Sequence, residues 1–332
     1  MVKFNDIRSL HIELTTRCNA SCPMCMRNYR GYAHNSGYPL TELFLADIQK
    51  IFSIDFLKQI NNIRFNGNLG DFSNAKDALE IVDFFIRYSN ANIIIETNGS
   101  VREPQWWAQL AHERITVFFG IDGLDDTHSL YRKNTDWNKI IDNAKGLINN
   151  NGNAVWKFIP FKHNQHQLDV CKELADKIGF KEFVIYDQGR NQGPVYSRTG
   201  KFEYWLGDPW SDTPPLVESL LHSHYTWFDS SNGTNLKIDE STELNCISIN
   251  NKEIYLAADG SVYPCCFTGF FPKNMHHPGN SQIEPYIKNN NALNYSLEEC
   301  IQWFLDLKKL WDLPDIKSGK PYICLNTCRS QQ

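Results

Sequence analysis

Cys18, Cys22 and Cys25 stand in the run Cys-Asn-Ala-Ser-Cys-Pro-Met-Cys, a CxxxCxxC spacing that brings three thiolates to one loop. Three thiolates can hold three irons of a four-iron, four-sulfur cube and leave the fourth iron without a protein ligand. An open iron implies chemistry, whereas structural zinc sites close with four ligands and electron-transfer clusters use four cysteines. The alternative for this loop is zinc with a fourth ligand borrowed from elsewhere. A second set of thiols follows in the C-terminal third: Cys246, the adjacent Cys265 and Cys266, and Cys324 with Cys328. Four of these would close a cube, or a zinc ribbon, completely.

These loops need elements to position them. Residues 7–14 alternate like a half-buried strand, and Thr15, Thr16, Arg17 and Asn19 follow as a polar turn. Further strands are expected at 62–66, 92–97, 116–121, 154–161 and 182–186. Helical patterns lie between them at 41–58, 75–89, 104–111, 137–149 and 167–178. That alternation is the pattern of a parallel sheet wound by βα units, with connections of one hand. In the C-terminal third, Asp259-Gly260 marks a hairpin turn that returns the chain so that Cys246 and Cys265 approach each other. Cys171 and Cys300 fall in helical patterns and read as core, as does the aromatic stripe Trp303, Phe304 and Trp311. Residues 189–244 are rich in Gly, Pro, Ser, Asp and aromatics and read as a linking region.

Sites in parallel sheets gather at the C-terminal ends of the strands. Strand two ends in Asn66-Gly67-Asn68-Leu69-Gly70-Asp71, strand three in Glu96-Thr97-Asn98-Gly99, and strand four in Gly120-Ile121-Asp122-Gly123 with His128, Tyr131 and Arg132 beyond. His163, Asn164 and His166 close strand five, where they either line a site or cap the next helix. Asp187, Arg190 and Tyr196 are candidates by position after strand six. A formal net charge of −5 at 332 residues gives no basic field for a nucleic-acid backbone. No stretch approaches the roughly 20 apolar residues of a membrane span. Ten cysteines without a secretion signal point to a reducing cytoplasm and to metal ligation.

With its strand-one context, the three-cysteine motif resembles that of the radical S-adenosylmethionine (SAM) superfamily. The resemblance implies an open, partial (β/α)6 TIM-like barrel over residues 1–190, in which the open iron of a [4Fe-4S] cluster chelates the amino and carboxylate groups of SAM. It implies adenine packing by Met24, where the family usually has an aromatic residue. Gly67, Asn68, Gly70 and Asp71 take the place of the family's Gly-Gly-Glu-Pro at the methionine ammonium. Thr97 and Asn98 stand for its Thr-Asn-Gly turn, and Asp122 and Arg132 for a Ser-Ile-Asp-Gly…Arg segment, with Arg132 a partner for the methionine carboxylate. His128 reads as structural. The second thiol set resembles a twitch domain, the shortened relative of SPASM: a small α+β unit at 245–332, with 191–244 as linker and site wall. Cys246, Cys265, Cys324 and Cys328 would hold one auxiliary [4Fe-4S] cluster, Cys265 being chosen over Cys266 because it follows Pro.

The implied activity is reductive cleavage of SAM to a 5′-deoxyadenosyl radical that abstracts a substrate hydrogen. A ribosomally made precursor peptide is the first substrate reading, and a small metabolite such as a sugar or cyclitol the second. A non-catalytic zinc protein is the third. Expected partners are an external electron donor such as flavodoxin or ferredoxin and, because the first strand begins so early, a separate leader-peptide recognition protein.

Overall fold

The computed structural model describes residues 3–25, 27–28, 31, 39–186, 193–207, 244–269 and 282–328. Asp187 and Arg190 and most of the linking region lie outside the described residues.

Six parallel strands form the frame: β1 (Ser9–Ile12), β2 (Asn62–Phe65), β3 (Asn92–Thr97), β4 (Ile115–Gly120), β5 (Asn153–Phe158) and β6 (Glu182–Ile185). They stand side by side in sequence order. Two-residue alternation sorts their side chains. Leu10, Ile12, Phe65, Ile93, Ile95, Val117, Phe119, Trp156 and Phe158 turn to one face and are buried with the helices. The opposite face carries polar groups: His11, Arg64, Glu96 and Lys157. There Arg64 Nη1 and Lys157 Nζ reach the two Glu96 carboxylate oxygens at 2.6 Å and 2.7 Å.

The covering helices are α1 (Leu45–Ile51), α2 (Ile54–Leu57), α3 (Ala78–Tyr88), α4 (Pro104–Ala108), α5 (Asp125–Tyr131), α6 (Trp137–Ile148) and α7 (Leu168–Ile178). The single helix expected over 41–58 is two. Phe52 adopts an extended conformation, and Ser53 starts a new helix by accepting a hydrogen bond from the Phe56 amide at 3.2 Å. Helix α5 is not foreshadowed by periodicity, since its seven residues carry three buried ones, Thr127, His128 and Tyr131, of which two are polar. Helix α7 stops at Gly179, whose φ of +100° suits glycine.

Past a short antiparallel hairpin, β7 (Gly193–Tyr196) with β8 (Phe202–Leu206), come α8 (Ile247–Asn250), β9 (Glu253–Leu256) and β10 (Val262–Tyr263). The Asp259-Gly260 turn does join β9 to β10 antiparallel, Tyr263 facing Tyr255. Strand β9 also pairs parallel with β1, His11 opposite Tyr255, so one eight-stranded sheet runs β10-β9-β1-β2-β3-β4-β5-β6. Helices α9 (Leu297–Cys300), α10 (Phe304–Trp311) and α11 (Tyr322–Thr327) complete the chain. Cys171 and Cys300 are fully buried in the main core, as are Trp303 and Phe304.

Candidate active site at the strand ends

The three N-terminal cysteines sit in one tight loop. The Cys25 amide donates to the Cys22 carbonyl at 3.0 Å, and the Ser21 amide to the Lys133 carbonyl at 2.8 Å. Ala20, Cys22 and Met24 pack into a small apolar cluster with Tyr131, Ile159, Phe161, Val195 and Leu206, and Cys18 and Cys25 lie against it. None of the three is joined in a disulfide. Burial pushes the Cys22 thiol up to about 11, opposed by the nearby Arg132 charge. Burial also raises Cys18, and the Asp71 charge adds to it. Such thiols stay protonated until a metal ion displaces the proton.

Asp71 organises the polar wall of this loop. Its Oδ1 accepts from the Ser73 amide and hydroxyl at 3.0 Å and 2.5 Å and from Thr97 Oγ1 at 2.9 Å. Its Oδ2 accepts from the Asn98 amide at 2.7 Å and from Asn98 Nδ2 at 2.9 Å. That fixes the Asn98 side chain, which also reaches Asn19 Oδ1 at 3.0 Å and stands 3.7 Å from Cys18 Sγ. Strands two and three are thus joined beside the cysteine loop by a carboxylate.

Strand four contributes an ion pair. Arg132 Nε donates to Asp122 Oδ2 at 2.6 Å, and Asp122 Oδ1 accepts from the Ile159 amide at 2.6 Å. Gly120 matters here for space: a Cβ at that position would stand 2.6 Å from Arg132 Nη2. The guanidinium therefore occupies the room that a serine hydroxyl would take. His128 is buried and braces this turn. Its Nδ1 meets the Asp122 amide at 3.1 Å and its Nε2 the Thr135 hydroxyl at 3.1 Å. Asn164 likewise serves the backbone, accepting from the Phe161 amide and donating to the Asp122 and Ile159 carbonyls. His163 stacks on Phe161, centroids 5.3 Å apart. Tyr196 ends strand β7.

The glycine turn after β2 is the most crowded part of the site. A Cβ on Gly70 would run into the Thr15 carbonyl, and one on Gly67 would come within 2.7 Å of Glu13 Oε1. Glu13, which sequence reasoning passed over, shapes the turn. Its Oε1 accepts from the Leu69 and Gly70 amides at 2.7 Å and 2.8 Å, and its Oε2 from the Tyr255 hydroxyl at 2.6 Å. Burial raises the Glu13 carboxyl, while the Tyr255 hydrogen bond and the turn amides pull it back down. The alternation of residues 9–13 puts Glu13 on the face of His11, a signal that could have flagged it. Asn68 Nδ2 donates to Tyr255 Oη at 3.2 Å and to the Cys266 carbonyl at 2.9 Å.

The second thiol set converges too. Cys246, Cys265, Cys324 and Cys328 line one cavity with Ile249, Pro264, Leu307, Trp311 and Ile323 among its walls. Cys266 is not among them and packs against the main core instead. The Cys328 thiol hydrogen-bonds Cys246 and draws it down. Burial holds Cys265 at about 11. Trp311, expected to be simple packing, is instead part of this cavity, beside the Cys324 sulfur. Among the described residues, no histidine or carboxylate lines it. Soft, all-sulfur donors of this kind fit an iron–sulfur cluster or zinc. Among the described residues, no group of three or more His, Cys, Asp or Glu is placed to hold a single metal ion. No helix among them is long and apolar enough to cross a membrane.

Residues 12–174 match the Radical SAM superfamily. The GTP 3′,8-cyclase of Clostridium acetobutylicum is 23% identical over 306 residues, covering 89% of this chain and 90% of that protein. A cysteine-type anaerobic sulfatase-maturating enzyme of Clostridium novyi is 23% identical over 280 residues, 76% of this chain and 71% of that one. Among solved structures, Streptococcus suis SuiB bound to S-adenosylmethionine shares the fold with a TM-score of 0.58 at 14% identity. That match covers 90% of this chain and 65% of SuiB, so the chain spans just under two thirds of SuiB's length. The structure of anSMEcpe with bound AdoMet and Cp18Cys peptide gives a TM-score of 0.55 at 16% identity, over 96% of this chain and 88% of that one.

Proposed function

We propose, from the premise that residues 12–174 form a radical SAM domain, that this chain binds SAM at Cys18, Cys22 and Cys25 and modifies a precursor peptide. When bound there, the [4Fe-4S] cluster supplies the electron that splits SAM into methionine and a 5′-deoxyadenosyl radical, which takes a hydrogen atom from substrate. The observation that carries the SAM part is the meeting of three cysteines, none in a disulfide, with the Gly67–Gly70 turn and the Asp71–Asn98 wall at the strand ends.

The residues divide the work. Cys18, Cys22 and Cys25 would hold the cluster through their three thiolates. The glycine turn lets backbone carbonyls approach the methionine ammonium closely. Arg132, oriented by Asp122, presents positive charge beside Cys22 to the methionine carboxylate. Met24 and its apolar neighbours exclude water from the adenine side. Cys246, Cys265, Cys324 and Cys328 would hold an auxiliary cluster, with residues 245–332 as its domain and 191–244 as the wall between. An external donor such as flavodoxin or ferredoxin and a separate leader-recognition protein belong to the same reading.

The peptide is favoured by the company the fold keeps. SuiB has been captured with its precursor peptide SuiA, and anSMEcpe with Cp18Cys. The small-metabolite reading has its own support in the cyclase, which acts on GTP by its name and matches along 90% of its length. Incubating reduced protein and SAM with the candidate precursor peptide, and separately with GTP and with sugars, tests the choice. Peptide-dependent formation of 5′-deoxyadenosine with a mass change in the peptide supports the first reading. Turnover of a small metabolite, with the peptide unchanged, overturns it.

A further inference from the structure

We propose that Glu13 and Tyr255 are positioning residues that set the Gly67–Gly70 turn for SAM and tie its shape to the hairpin bearing Cys265. The inference rests on the reading above that this turn receives the methionine end of SAM, and it adds residues and a linkage which that reading does not contain.

The linkage is continuous and short. Glu13 leaves β1 and gives one oxygen to the Leu69 and Gly70 amides, at 2.7 Å and 2.8 Å, and the other to Tyr255 Oη at 2.6 Å. Tyr255 sits on β9, opposite Tyr263 on β10, and Cys265 lies two residues beyond Tyr263. Asn68, in the middle of the turn, bonds both Tyr255 Oη at 3.2 Å and the Cys266 carbonyl at 2.9 Å. The turn has no slack, because Gly67 meets Glu13 and Gly70 meets the Thr15 carbonyl at closer range than any Cβ tolerates. Tyr255 and Glu13 are both buried, so their hydrogen bonds do not exchange freely with water.

A turn held so firmly on one side by the barrel and on the other by the hairpin cannot keep its shape when the hairpin moves. Whatever orders Cys265 and Cys266 then favours the SAM-competent turn, and by linkage SAM favours the ordered hairpin by the same factor. A merely structural network would change stability alone and leave the affinity of folded protein for SAM untouched.

The test is equilibrium binding of labelled SAM to the anaerobically reconstituted full chain, a measurement independent of turnover. Tyr255→Phe removes one hydroxyl and keeps the ring. It is expected to raise the SAM dissociation constant about 2- to 10-fold, the range for one net hydrogen bond, with wild-type iron content. In steady state KM for SAM rises while kcat is retained. Asn68→Ala, which approaches the same bonds from the turn, serves where Tyr255→Phe does not fold. The double variant must be less than additive, since both changes cut one chain of bonds. Unchanged affinity in the folded single variants, or strict additivity in the double, overturns the linkage. An iron-loaded wild type that does not bind SAM overturns the SAM reading itself, a result distinct from the other two.

Discussion

Arg132 and Asp122 form a 2.6 Å ion pair in which the carboxylate is wholly buried and the guanidinium faces Cys22. The pair spans the end of β4 and the end of α5 and fixes the cation at the cysteine loop. Removing the cation leaves a buried carboxylate with the Ile159 amide but no opposite charge, which costs about 3–5 kcal/mol. Arg132→Met should therefore lower stability in a urea titration by that order and weaken SAM binding. A loss typical of a surface substitution, under about 0.5 kcal/mol, would contradict this assignment.

His128 predicts an acid-sensitive fold. Burial, reinforced by the Arg132 charge, lowers His128 to about 3, and burial lowers His11 to about 4. Both are neutral in the folded chain across the range where the unfolded chain protonates them. The unfolded state then binds more protons, so stability is full above about pH 6.5 and falls as pH drops toward the folded values. Between pH 7 and pH 5 each histidine accounts for about 2 kcal/mol of that loss. His128→Gln, which retains an acceptor for the Asp122 amide, should lose about that much less than wild type between the two pH values in paired urea titrations. Parallel losses in the two proteins would refute the assignment.

The parallel sheet was legible because its strands and most of its helices carry clean periods, while its reading as a partial barrel came from the family resemblance. Ile93, Ile95 and Thr97 alternate with Asn92, Ile94 and Glu96 along β3, and βα alternation left few topologies to choose from. The thiol sets were legible from spacing and a hairpin turn. What escaped were relations between strands. Glu13 and Tyr255 lie 242 positions apart, and only the parallel pairing of β9 with β1 brings them together. The bond from the Asn68 amide to the Cys266 carbonyl joins segments 198 positions apart and could not be read from the turn's sequence. The break at Phe52–Ser53 was hidden because a serine cap inside an apolar period looks like one more exposed helical residue.

Gly70 offers a steric test. A methyl group in place of its hydrogen would collide with the Thr15 carbonyl, which is backbone and cannot rotate aside. Gly70→Ala should displace the turn and lower SAM affinity by at least about tenfold, the effect of about 1.4 kcal/mol. Folded protein is verified by circular dichroism, and wild-type affinity in folded Gly70→Ala would count against the turn as the SAM seat.

The two thiol sets should part company in iron content. Wild type is expected to hold about eight irons, two cubes of four. Cys22→Ala should fall to about four and lose SAM cleavage, while Cys324→Ala should fall to about four and still cleave SAM. Iron analysis alongside 5′-deoxyadenosine quantification checks both. Equal loss of cleavage in the two folded variants would contradict the division of labour.

The most direct measurement is electron paramagnetic resonance of the reduced, iron-loaded Cys324→Ala protein, with and without isotopically labelled SAM. The N-terminal cluster should give a signal that shifts on adding SAM and shows hyperfine coupling to the labelled methionine nitrogen. A signal indifferent to SAM, or a redox-silent metal at Cys18, Cys22 and Cys25, would contradict the account at its root.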